Sequence, residues 1–531
     1  MNNNNSIPKD GLEGLKQNWG ADALSGFLVF LIALPLSLGI AKASGYPAAM
    51  GVLTAMVGGI VVSIFQGGRL TIKGPAAGLI TVCAGAVADL NGLSIPGVTG
   101  VQLACGAILV MSVIQVVFGF LKFGNYSDFF PLTVVHGMLA AIGLLIFAKQ
   151  FPVLLGVPAE LTKGLTPLQL FENIPNFIVH ANGEIALIGL LSLLIIFGLP
   201  ALGGFFKKIP APMIVLLVMI PMGIAYSFKT EHPASLVSIG DFWKDVKFNA
   251  SFAAIGTGVF WKYVLMFLFV NSLESLLTVK AVDGLDPFKR KSDYNKDLRA
   301  LALGNGVSGA LGGLPMISEV ARSAANVANG GRTRWANFFH GIFLLVAMIV
   351  LIPVIEMIPT AALAAMLIAV AYKLANPKEF IGTYKIGVEQ LVIFLITIFV
   401  TVAEDLLMGV AAGIIVKFAF QLIKGVKPSE MFRAKLDIVD NGSDVQITAH
   451  SSLVFSNFIS LQKKLKAIPA GRNVTLDVSE VTLIDHSTQE NLHRFEEDYS
   501  MGGGHFRVTG LDNFKQLSQH KYSVRVNKVR G

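Results

Sequence analysis

GGLPMISEVARSAANVANGGRTRW, residues 312–335, lies in the second half of a very apolar chain, and its reading decides the fold. It carries Glu319, Arg322, two Ser and two Asn in what reads as a short helix. An ionisable side chain in hydrocarbon costs about 2.5 kcal/mol or more. An ordinary membrane helix does not carry such cargo, so this segment needs a reason.

Its surroundings are clearly membranous. Of 531 residues, 53% are hydrophobic and only 14% charged, with a mean hydropathy of +0.65. Soluble domains carry about 25% charged residues. Residues 21–425 read as one apolar stretch after another and predict a transmembrane domain, whereas 434–531 have ordinary soluble composition. Residues 1–20 form an N-terminal segment with no charged-then-apolar leader. The net charge of +8 is read through topology, because no basic and aromatic cluster marks a nucleic-acid partner. Cys83 and Cys105 both fall in apolar segments and read as packing residues.

Apolar segments of about 17–25 residues are candidate spans. They fall near 22–43, 47–66, 101–121, 131–149, 184–205, 209–227, 257–282, 336–357, 359–373, 389–404 and 406–424, with a Gly-rich one at 296–313. Two more, 75–90 and 319–329, are too short to cross alone, making fourteen transmembrane segments in an α-helical polytopic membrane protein. An even number puts both termini on one side. Arg69 and Lys73, Lys122, Lys207 and Lys208, Lys289 to Lys291, Arg332 and Arg334, Lys373 and Lys378, Lys424 and Lys427 fall in alternate connections. The positive-inside rule makes that side, with the C-terminal domain, cytoplasmic.

Each short segment follows an extended run with Gly and Pro, RLTIKGPAAG at 69–78 and GGLPMISE at 312–319, and each is third in its half. Interrupted segments at matching positions predict an inverted-repeat transporter with its site at the midplane. Pro75 suits a first helical turn. Two facing helix N-termini offer free amides and positive dipole ends, an anion site made from backbone. Gly74, Pro75, Ala76, Ala77 and Gly78 would form one tip, and Ser318, Glu319, Val320, Ala321, Arg322 and Ser323 the other. The alternative is a pair of merely kinked helices.

GPAAG at 74–78, NSLESLLTVKAVDG at 271–284, NKDLRALALGNGVSGALGGLP at 295–315 and ARSAANVANGGRTRWA at 321–336 resemble the SulP family, the sulfate permeases and related solute-carrier anion transporters. The run ALPLSLGIAKASG at 33–45 resembles that family's first helix. The resemblance implies a seven-plus-seven inverted repeat with core and gate domains, and an anion held between the third and tenth segments. It also implies carriage of sulfate, bicarbonate, chloride or dicarboxylates, often with Na+ or H+, commonly by a homodimer.

Arg322, in the first turn of the second half-helix, would attract the anion; alternatively Glu319, three positions earlier, neutralises it. Ser318 and Ser323 are candidate hydroxyl donors, with helix capping by Ser318 as the plain alternative. Glu274 sits mid-span and is a functional candidate by default, with Thr278 one turn later on the same face. The resemblance implies that these two hold Na+; the alternatives are a protonated, coupling Glu274 or a purely structural one. Glu319 departs from the family pattern, which has a small or hydroxyl residue there. It pairs with Arg322, is protonated when substrate binds, or helps hold a cation. Asn295 and Asp297 match an Asn-x-acid-Leu pattern, and with Asp283 they are assigned no transport role.

In the C-terminal region AKLDIVD, DVQITAH, NVTLDVS and HFRVTG read as strands, with helices near 456–467, 486–500 and 511–521. DVSEVTLIDHST at 477–488 resembles the STAS signature. Where anti-sigma-factor antagonists have a phosphorylated Ser after the second Asp, this chain has His486, which reads as a surface histidine. The small α/β domain is then expected to serve dimer contact, folding or partner binding.

The expected function is secondary active transport of a small inorganic oxyanion by alternating access at the plasma membrane. Bicarbonate is placed ahead of sulfate, with Na+ or H+ symport ahead of exchange. A membrane enzyme is excluded for want of a catalytic constellation on the spans. A membrane-tethered signalling protein is the remote alternative. No cofactor is expected beyond a coupling ion.

Overall fold

A computed structural model of the chain describes residues 7–124, 131–203, 210–501 and 503–528. The cations Lys207 and Lys208 used for orientation lie outside the described residues. The chain divides into two compact units: Met1–Asn125 with Ile142–Leu374, and Tyr126–Ala141 with Ala375–Gly531.

The first unit is a helical assembly. Its main elements are α1 (Gly11–Ala43), α2 (Ala48–Val57), strand β1 (Lys73–Pro75), α3 (Ile80–Asn91) and α4 (Gly100–Phe120). α5 (Leu132–Leu154), of which residues 132–141 belong to the second unit, α6 (Gly183–Ala201), α7 (Ala211–Ala225), α8 (Gly258–Leu285) and α9 (Tyr294–Ala310) follow. Strand β2 (Met316–Ser318), α10 (Val320–Ala328), α11 (Trp335–Val350) and α12 (Thr360–Leu374) complete the series. Polar side chains start the long helices: Thr99 and Gln102 form a capping box on α4, and Thr257 and Asp293 cap α8 and α9. α1 packs on α2 and α11, and α4 on α9, burying Val29, Leu38, Ile108, Leu301 and Leu344. Cys83 and Cys105 are buried and free.

Among the described residues, eight helices are long and apolar enough to cross a bilayer by length and composition. Four shorter apolar helices, Ala77–Asn91, Ala211–Ala225, Trp335–Val350 and Val388–Ala403, stand beside them.

The two interrupted segments meet. β1 and β2 pair antiparallel, Lys73 opposite Ser318, Gly74 opposite Ile317 and Pro75 opposite Met316. Because the pairing is antiparallel, α3 and α10 leave the ladder in opposite directions. Pro75 is therefore the last residue of a strand and not the first of a helix. A two-stranded ribbon buried in an apolar bundle has two unpaired edges, and its backbone groups need partners. Asparagines supply them. On β2, the Met316 carbonyl accepts from Asn271 of α8 (2.6 Å), and the Met316 amide donates to Asn305 of α9 (2.7 Å). On β1, the Lys73 amide donates to Asn337 of α11 (3.2 Å).

The second unit holds α13 (Pro377–Ile386), α14 (Val388–Ala403) and α15 (Leu406–Ile423), followed by an α/β region. Strands β3 (Leu436–Asp440), β4 (Asp444–Ala449), β5 (Asn473–Asp477) and β7 (His505–Thr509) form one sheet in the order β3-β4-β5-β7, with only β3 and β4 antiparallel. Alternate residues of β4 are buried, and Val445, Ile447, Leu476 and Phe506 meet Leu461 and Leu465 of α16 (Phe455–Lys466). α17 (His486–Met501) fills the next expected helix. The helix expected at 511–521 does not form. Leu511–Asn513 is a single 3-10 turn, and β8 (Phe514–Gln516) pairs with β9 (Arg525–Asn527), which pairs in turn with β6 (Leu483–Ile484). Cross-strand bonds such as Leu517 N–H to the Val524 carbonyl (3.0 Å) hold its backbone instead.

Candidate functional site

α10 answers the opening question. Arg322, Ser323 and Asn326 are buried, while Val320 and Ala321 are exposed. This is an amphipathic helix turned inside out, polar stripe inward and apolar residues outward. Such a helix suits a surround of hydrocarbon and a polar interior.

The inward stripe holds two kinds of group. Ser323 is fully committed: its hydroxyl donates to the Glu319 carbonyl (2.6 Å) and accepts from the Ile72 amide (2.9 Å). Asn326 donates to the Leu70 carbonyl (2.8 Å). Arg322 is committed to nothing. Its side chain is 1% exposed, and Nε, Nη1 and Nη2 all lack a hydrogen-bond partner. The alternative in which Glu319 neutralises Arg322 is not realised as a hydrogen bond. The guanidinium lies instead against Gly74, where a Cβ would collide with Nη1.

Glu319 reaches the other way. It is the N-terminal cap residue of α10, so Ser318 is not. Its side chain bonds nothing in its own helix; Oε1 accepts from the Ala77 amide at 3.3 Å, at the start of the 3-10 turn Ala77–Leu79 that opens α3. Glu274, 7% exposed, presses on the same turn from α8, and a Cβ on Gly78 would strike its carboxylate. Its Oε1 is buried without a partner. Thr278, one turn further along α8, is buried as well.

Ser318 has a different duty from the one expected. Its hydroxyl is 2.5 Å from Lys73 Nζ, and Lys73 donates to Asp297 Oδ2 at 2.6 Å. Asp297 Oδ1 accepts from the Gly67 and Gly68 amides at 3.1 and 2.8 Å. Lys73 is wholly buried. It is thus no loop cation, and its part in the orientation argument falls away. The pairing of Lys73 with Asp297 is what residue-by-residue reading missed. The available signal was a lysine directly before GPAAG in an apolar run, where an unpaired charge is untenable.

The site therefore gathers Gly74, Ala77, Gly78, Glu274, Glu319 and Arg322 around the starts of two broken helices. Ser318 and Ser323 belong to its supporting structure.

This architecture is that of a polytopic α-helical membrane protein with paired discontinuous helices. Residues 20–397 match the Sulfate permease family, to which the chain belongs. YvdB of Bacillus subtilis, named for sulfate transport, is 24% identical over 522 residues, covering 95% of this chain and 94% of its own. The bicarbonate transporter BicA of Picosynechococcus is 25% identical over 437 residues, 81% of this chain and 74% of its own. The overall structure of SLC26A9 superposes with a TM-score of 0.66 at 16% identity, over 93% of this chain and 85% of that one. The protein is a membrane anion transporter and not an enzyme.

In the second unit, His486 is buried, contrary to the surface placement expected. Its Nδ1 lies 2.8 Å from the Tyr522 carbonyl. Asp485 is met by Lys417 of α15 at 3.4 Å and by Gln421 at 3.2 Å.

Proposed function

We propose that this chain carries bicarbonate across the plasma membrane by alternating access, driven by a cation moving the same way. One observation carries the reading: Arg322, buried, cationic and without a partner, at the start of a broken helix. Buried N–H donors left without acceptors are costly, and a small oxyanion supplies the acceptors that the protein withholds. Backbone amides at the α3 and α10 starts would complete the anion's coordination.

Cation coupling follows from charge. Glu274 and Glu319 against Arg322 leave the site one negative charge in excess, which opposes an incoming anion. A Na+ or H+ beside Glu274 removes that opposition. The unpartnered Glu274 oxygen and the buried Thr278 are hard oxygen donors of the kind Na+ takes. Similarity to BicA favours bicarbonate; sulfate, for which the family and YvdB are named, is the second substrate to test. We further propose cytoplasmic termini, from the alternation of cationic connections, a homodimer, and a STAS-like role for residues 434–531.

Radiolabelled bicarbonate and sulfate uptake into proteoliposomes, each with and without a sodium gradient, tests this. Bicarbonate uptake is expected to rise with the gradient and to lose that dependence in Glu274→Gln. Sodium-independent sulfate uptake alone would replace both the substrate and the coupling assigned here.

A further inference from the structure

An acidic residue at a helix start ordinarily serves its own helix, accepting from the amides one turn in. Glu319 does not. It stands extended at the start of α10, makes no capping bond there, and delivers Oε1 to the Ala77 amide of the other broken helix. Arg322, one turn along, donates no hydrogen bond to that carboxylate although both share the site. The carboxylate thus occupies an amide at the start of α3, and the cation that would best hold it stays vacant.

A carboxylate is a planar oxyanion of nearly the size and charge of bicarbonate. We infer that Glu319 is a tethered competitor of the substrate. In the empty carrier its carboxylate holds the Ala77 amide, and the transported anion takes that amide only when Glu319 swings away. This rests on the anion-carrier reading above and adds to it a residue that sets affinity. The tether also explains the unpaired guanidinium: Arg322 is reserved for the mobile anion because the fixed one is held elsewhere. Glu319 is half-buried and its side chain has three rotatable bonds, so it has freedom to leave.

The experiment is a comparison of variants in proteoliposomes. Glu319→Gln keeps the shape and removes the competing charge. Glu319→Asp keeps the charge and shortens the tether by one methylene. Wild-type uptake with loss in Arg322→Ala establishes the anion site itself. On that background, Glu319→Gln is expected to lower the KM for the anion by roughly three- to tenfold, the difference between a charge-assisted and a neutral hydrogen bond to the same amide. Glu319→Asp is expected to lower KM as well, because its carboxylate no longer reaches Ala77. Calorimetric titration of each purified variant with bicarbonate reports the same order of affinities without needing transport. An unchanged or raised KM in Glu319→Gln, with Arg322-dependent uptake intact, overturns the competitor role and leaves the carrier reading standing. A wild-type-like KM in Glu319→Asp overturns it too, since charge alone would then be acting. No uptake of either anion by wild-type protein removes both.

Discussion

Two clusters of charge lie at the same strand pair and are treated in opposite ways. Around Lys73 the charged groups are matched: the ammonium has Asp297 and Ser318, and the spare carboxylate oxygen has two glycine amides. Around Arg322, three guanidinium nitrogens and a Glu274 oxygen are buried with no match. Burial is similar in both, so burial does not separate structure from function here. Satisfaction does. A fully satisfied buried ion pair fixes one arrangement, in this case the crossing of β1 and β2. An unsatisfied one retains interaction energy for a group that arrives later.

The sharpest way to break that contrast is to remove one partner of the matched pair. Lys73→Ala strands Asp297 as a buried, unpaired carboxylate, and breaking such a pair costs about 3–5 kcal/mol. The strand crossing that both half-helices spring from goes with it. We expect loss of monodisperse protein, or a large fall in melting temperature in detergent. A variant that purifies and melts like the wild type would show that the ribbon does not depend on the pair.

The converse substitution is expected to separate activity from stability. Arg322→Ala removes a cation that no protein atom holds, so the melting temperature stays level or rises slightly. Anion uptake falls by about a hundredfold or more, the scale of a charge-assisted bond lost together with its buried partner. If Arg322→Ala melts several degrees lower, the guanidinium was bonded after all and the contrast with Lys73 fails.

The sequence carried a good part of this. Helix length and apolarity placed the membrane segments, and the polar side chains of 318–329 singled out α10, because hydrocarbon leaves so few reasons to tolerate them. GPAAG and the glycines at 312–313 marked where helices are interrupted. Pairing was not legible. Lys73 and Asp297 are 224 residues apart, and a lysine's burial depends on a partner that no local pattern announces. Lys73 consequently read as a loop cation and Ser318 as free for substrate. Glu319 was recognised as the odd residue, but its hydrogen bond, made to Ala77 and not to Arg322, is a rotamer choice that spacing does not encode. In the C-terminal region alternation found the four strands of the main sheet. The segment after 511 went wrong because its short strands have too few buried residues to show a period.

A surface pairing in the second unit tests how far satisfaction matters when burial is absent. His450 lies 2.7 Å from Glu480 and 2.8 Å from Asp437, as fully matched as Lys73, yet its side chain is a third exposed. The hydrogen bond to Glu480, then that to Asp437, raises its pKa above the ordinary histidine value. A raised folded-state pKa contributes stability that is fully present below the unfolded value, about 6.5, and is lost as pH climbs through the folded value. Water screens the pair, so the contribution is small. Melting of wild type and His450→Gln at pH 6 and pH 8.5 should therefore differ slightly at the lower pH and converge at the higher. A gap as large as that expected for Lys73→Ala would mean that matching alone, without burial, sets the energy. A gap that widens with pH would mean that the neutral imidazole, not the cation, is the form these carboxylates hold.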